Sequence, residues 1–136
     1  MQSEKISRKT EFIIGKIKYL NENKPSNLVE FQTDETTQMA ILYAIHVAVE
    51  ALIDIVVIIE KKQNGKRDSG DYEKFTALFE SGCINEGVHE GLRKLNGLRN
   101  AIVHAYDSLI IDEIYENYEK IIRDIGNITE YLFEKY

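Results

Sequence analysis

Apolar residues recur along this chain at the three-to-four-residue spacing of helices, and no stretch alternates with the period of two that marks a strand. Ile6, Ile13, Ile17 and Leu20, with Lys and Glu between them, predict a first helix over about residues 3–22, stopped before Asn23 and Pro25. A loop or short helix follows through Phe31. Thr33 or Asp34 is a suitable N-cap for a second helix that continues to about Lys62. From Met39 to Ile59 this helix is apolar nearly all round, which predicts a central, buried element. Residues 63–70 read as a loop. A short helix from Asp71 to Ser81 places Tyr72, Phe75, Leu78 and Phe79 on one face, with Gly82 as its stop. Leu92, Leu95, Leu98 and Ile102 form the inner stripe of a fourth helix from about Asn85 to His104. A last helix from about Leu109 to Phe133 carries Ile111, Ile114, Tyr118, Ile121, Ile125, Ile128 and Leu132. The pattern predicts an all-α, up-and-down bundle of four main helices plus a short one, forming a single domain over residues 1–136.

The second helix is long enough to span a membrane. Glu50 and Asp54 stand in its middle, and an acid there costs roughly 2.5 kcal/mol or more in lipid, so a soluble core helix is expected and no membrane contact. With 136 residues and 43% apolar content the chain can bury a real core. The net charge of −6 argues against a general nucleic-acid coat but leaves room for a local site on a few phosphates. The single Cys83 excludes an intrachain disulfide, and no charged-then-apolar leader opens the chain, so a cytoplasmic protein is expected. There is no Gly-rich phosphate loop and no Cys/His zinc spacing, and neither a cofactor nor a metal is expected. Cys83 has no nucleophile context, and His89, between Glu86 and Glu90, reads as a surface histidine.

The candidate chemistry sits in Arg99-Asn100-Ala101-Ile102-Val103-His104-Ala105-Tyr106. Arg is a permanent cation that forks onto phosphate, and His exchanges a proton near neutrality. At 100° per residue, with Arg99 at zero, Asn96 falls at about 60°, Asn100 at about 100°, Arg93 at about 120° and His104 at about 140°. They share one broad polar face, with Arg99 and His104 at its opposite edges. A regular helix therefore does not bring these two onto one atom. Either the helix ends near His104 and re-aims the imidazole, or two chains pair their motifs. From spacing alone the favoured readings are a solvated face, with His104 favoured by the helix dipole, and Tyr106 as an aromatic at the core's edge.

His46, Glu50 and Asp54 make a polar stripe on the second helix at four-residue spacing. Buried acids need partners. The stripe can position Arg99 or Arg93 from a neighbouring helix, bind a metal, or face solvent; a metal would need ligands from a second helix, and none is evident.

Arg99-Asn-x-x-x-His104-x-Tyr106 resembles the signature of the HepT toxins, a branch of the HEPN superfamily of helical ribonucleases. The resemblance extends over about residues 35–133. It includes the buried acidic run Ala48-Val-Glu-Ala-Leu-Ile-Asp, the aromatic segment from Tyr72 to Gly82, and the run from Gly91 to Leu98 that leads into the signature. It implies a metal-independent endoribonuclease acting on RNA as a homodimer, with both Arg/His motifs lining one cleft. His104 would assist proton transfer at the ribose 2′-hydroxyl, Arg99 would stabilise the five-coordinate phosphate, and Asn100 would orient the imidazole or the phosphate. Acidic residues on the second helix, here Glu50 and Asp54, would support the site. The implied partner is an MNT-type nucleotidyltransferase antitoxin that transfers AMP to the motif tyrosine, Tyr106 here; the added phosphate would occupy Arg99 and block the cleft. Two other readings stay open: a non-catalytic HEPN helical binding module partnering a nucleotidyltransferase, and a small structural helical dimer.

Overall fold

Ser3 and Asp34 set where the two longest N-terminal segments begin to coil. In the computed structural model, which describes residues 3–65, 69–104 and 108–136, the Ser3 hydroxyl accepts from the Lys5 amide and opens α1 (Glu4–Glu22). Asp34 accepts from the Thr37 amide and opens α3 (Glu35–Asn64); that hydrogen bond holds the Asp34 carboxyl below the usual range. Such caps satisfy amide donors that the first helical turn leaves without an intrahelical partner. Between them lies α2 (Leu28–Thr33), followed after α3 by α4 (Asp71–Glu80), α5 (Glu86–His104), α6 (Ser108–Glu116) and α7 (Tyr118–Lys135). Among the described residues all regular structure is helical. Gly82, at φ 80°, supplies the left-handed turn between α4 and α5.

Helix α3 is the axis of the bundle, packed by α1, α2, α4, α5 and α7. Ile41, Ile45, Ala48, Val49, Leu52, Ile55, Val56 and Ile59 are almost fully buried. By length and composition α3 would suit a membrane, but 61% of its most apolar stretch is buried among the other helices. It is not buried throughout as the pattern suggested: Met39 and Tyr43, in its first turns, are 65% and 62% exposed. Gly91 lets α5 close onto α7, since a Cβ there would lie 2.6 Å from Ile128 Cδ1.

The single C-terminal helix expected from residue 109 to 133 is two helices, broken at Asn117. The Asn117 amide side chain donates to the Glu113 carbonyl at 3.0 Å, and the same carbonyl also accepts from the Asn117 backbone amide at 3.1 Å. The break lets α6 pack on α2 while α7 lies along α1. Immediately after it, the buried Tyr118 hydroxyl donates to the Leu20 carbonyl at 2.6 Å and ties α7 to the end of α1. Burial pushes that phenol up to about 12.

Candidate active site

Helix α5 presents Arg99 inward rather than along a solvated face. Counting 100° per residue, Leu92 and Val88 fall within about 20° of Arg99, so the arginine rises from the same side as the apolar stripe. Its side chain is 18% exposed, and carboxylates from two other helices meet it. Nη1 donates to Glu50 Oε1 of α3 at 3.3 Å, and Nη2 lies 3.6 Å from Asp71 Oδ2, on the first residue of α4. Nη2 also donates to the neighbouring Asn100 Oδ1 at 3.1 Å. The other Glu50 oxygen pairs with His46 Nε2 at 3.0 Å, so the carboxylate is held from both sides. His46 Nδ1 is buried with no hydrogen-bond partner among the described residues.

Of the expected constellation, the fold thus brings together Arg99, Asn100, Glu50 and His46. Asn100 lies against the guanidinium, not the imidazole. Asp54 is not part of this cluster: its Oδ2 accepts from Lys9 Nζ of α1 at 3.0 Å. Arg93 does not meet the α3 stripe either, its guanidinium lying 5.7 Å from the Tyr72 ring centroid. Asn96, expected on the polar face, is 1% exposed, with Oδ1 unpartnered among the described residues. It shares the inner arc with Arg99, which explains its burial. His104 is exposed and is the last residue of α5, so the helix ends where the sequence allowed it to; residues 105–107, Tyr106 among them, lie outside the described residues. His89 is half-buried rather than a surface residue, its ring stacked 4.8 Å from Phe79.

Asp71 is the partner of Arg99 that motif reading missed. A cation placed inside an apolar arc requires acidic partners, and Asp71 heads the only short helix expected between the two core helices. Among the described residues no group of three or more His, Cys, Asp or Glu side chains is arranged around a metal-sized position. The α3 stripe is therefore a set of pairs: His46 with Glu50, Glu50 with Arg99, Asp54 with Lys9.

Comparison with known proteins extends the geometry. Residues 5–132 match the family model described as Ribonuclease HepT-like. A protein of Archaeoglobus fulgidus named "Putative RNase" is 34% identical over 139 residues, covering 95% of this chain and 99% of its own. The mRNA nuclease HepT of Shewanella oneidensis is 28% identical over 101 residues, covering 74% of this chain and 76% of its own. Among solved structures, the tri-AMPylated Shewanella oneidensis HEPN toxin in complex with MNT antitoxin shares the fold. Its TM-score is 0.85 at 24% identity, with 99% of this chain and 100% of that one covered.

Proposed function

The chain belongs to the HepT-like ribonuclease family, and on that premise we propose that it is a metal-independent endoribonuclease toxin, neutralised by an MNT-type antitoxin. The observation that carries this reading is the fixed guanidinium of Arg99, held at one edge of α5 by Glu50, Asp71 and Asn100, on the same helix as the exposed His104. His104 takes the proton of a ribose 2′-hydroxyl, whose oxygen then attacks the adjacent phosphorus. Arg99 neutralises charge building on the non-bridging oxygens. The P–O5′ bond breaks, leaving a cyclic phosphate on one fragment and a 5′-hydroxyl, once protonated, on the other.

Arg99 and His104 point about 140° apart on one regular helix, so each chain supplies half of a cleft that a second copy completes. The exposed Met39 and Tyr43 support such pairing. They lie on the same stripe of α3 as His46 and Glu50 and leave an apolar surface beside the site. The protein acts in the cytoplasm, where its RNA is.

Tyr106, two residues beyond His104, is the acceptor for AMP from the antitoxin. The solved relative with this fold is named as tri-AMPylated and bound to an MNT antitoxin, which supports this assignment. Co-expression with the partner adds whole AMP masses to the wild type and none to Tyr106→Phe; no gain with an active partner removes this part of the reading.

The deciding experiment incubates purified protein with RNA beside Arg99→Ala and His104→Ala. Cleavage by the wild type that both substitutions abolish is the expected result. An inert wild-type dimer, free of antitoxin, would leave the non-catalytic binding module as the better account.

A further inference from the structure

Helix α1 carries five basic and three acidic side chains, in a chain whose net charge is −6. Three of the basic residues, Lys5, Arg8 and Lys9, line one groove against Asp54, Val57 and Ile58 of α3, with a volume of about 560 Å³. Lys9 is anchored by Asp54 at 3.0 Å, which holds its ammonium at the α3 side of the groove. Arg8 meets Glu4 at 3.6 Å, but both side chains are largely exposed, at 68% and 83%, and such a pair yields easily to a stronger anion. Lys5 is exposed and has no ion-pair partner among the described residues. The half-buried Val57 and Ile58 give the groove an apolar floor.

The position of this groove gives it meaning. Asp54 follows Glu50 by one helical turn, a rise of about 6 Å on nearly the same face. Glu50 holds Arg99 of α5, and Asp54 holds Lys9 of α1. The acidic stripe of α3 thus arrays two cations from different helices in a row, and the α1 groove continues that row away from the Arg99 cluster. An extended polyanion with its reacting phosphate at Arg99 would run its neighbouring phosphates onto Lys9, Arg8 and Lys5.

We propose that the α1–α3 groove is a second phosphate-binding subsite, which holds the backbone of single-stranded RNA flanking the phosphate engaged by Arg99. The proposal rests on the ribonuclease reading above for the identity of the polyanion. The charge acts on affinity and leaves bond cleavage itself to Arg99 and His104.

The test uses the full chain carrying His104→Ala, so that RNA is not consumed, and a labelled single-stranded RNA titrated over a range of salt concentrations. In this background Lys5→Glu with Arg8→Glu is compared with Lys16→Glu and Lys18→Glu, which change the net charge of α1 equally but lie outside the groove. Circular dichroism confirms that each variant is folded. The groove pair is expected to weaken binding at low salt and to flatten the slope of log affinity against log salt by about 0.7 for each phosphate that is no longer neutralised. The control pair keeps the parent slope. Equal behaviour of the two pairs, or no RNA binding by the parent, overturns the proposal. Cleavage by the wild type is scored separately. A wild type that cuts RNA while both pairs bind alike sinks the groove alone, and groove-dependent binding by a protein that cuts nothing sinks the ribonuclease reading alone.

Discussion

Arg99 and His104 stand on one helix and are treated by the fold in opposite ways. Arg99 is largely enclosed, its nitrogens shared among Glu50, Asp71 and Asn100 from three helices. His104 is exposed on the last turn of the same helix. The arginine is positioned by the tertiary structure of one chain; on the proposed reading, the histidine takes its working position only against a second copy. The proposed Arg-x4-His site thus consists of two halves of different character rather than one catalytic dyad.

The largest separation of the two comes from His104→Ala. Cleavage of RNA is expected to fall by roughly 10²- to 10⁴-fold, the usual contribution of a general base. Folding stability, measured by urea denaturation, should stay within about 0.5 kcal/mol, as for other exposed positions. Arg99→Ala should lose activity and stability together, because it removes a largely enclosed side chain and the guanidinium that joins Glu50 and Asp71. Equal stability losses in the two variants would contradict the contrast.

Glu50→Gln probes the enclosed half next. The substitution keeps the shape of the side chain and removes the charge that fixes Arg99 and pairs with His46. Single-turnover cleavage should drop at least about tenfold, within the range expected when a catalytic group is misplaced by about an ångström. Asp54→Asn, one turn further along α3, should leave the rate at saturating RNA unchanged, since Asp54 holds Lys9 and not Arg99. A rate loss as large in Asp54→Asn as in Glu50→Gln would show that the stripe acts as one unit.

The smallest effect is a mirror image of His104→Ala. Tyr118→Phe removes a buried hydrogen bond to Leu20 and should cost about 1 kcal/mol of stability with cleavage unaltered. Burial pushes the Tyr118 phenol up to about 12 from its ordinary value of 10.0, so the folded protein keeps a proton that the unfolded chain releases first. Its contribution to stability is complete below about pH 10 and is lost as pH rises towards 12. The alkaline fall in stability should therefore be shallower in Tyr118→Phe, as thermal melts between these pH values would show.

Periodicity carried most of the architecture because each main helix buries a continuous apolar stripe, and the Asp34 cap and the Gly82 turn are local signals. The break at Asn117 was not legible, because the apolar stripe runs on through it at unbroken spacing. Only the tertiary packing, α6 on α2 and α7 on α1, distinguishes the two helices. At the site, residue chemistry pointed to Arg99, Asn100 and His104, and the four-residue stripe on α3 correctly offered Glu50 as a partner for Arg99. Sequence reasoning failed where partners come from distant elements. Lys9 meets Asp54 across 45 positions of sequence, and Asp71 reaches Arg99 from the start of α4. Asn96 and Arg99 were misplaced on the polar face because the angles were measured among the polar residues. Measured from Leu92 and Leu95, they would have fallen on the buried arc.

The claim that each chain holds half a site is tested most directly by complementation. Arg99→Ala and His104→Ala chains, each inactive alone, are mixed, dissociated and allowed to reassociate before RNA is added. Mixed dimers that pair an intact Arg99 from one chain with an intact His104 from the other should regain a substantial fraction of wild-type cleavage. A mixture that forms such dimers and stays inactive, while the wild type cuts RNA, would contradict the account and place both groups of each working site within a single chain.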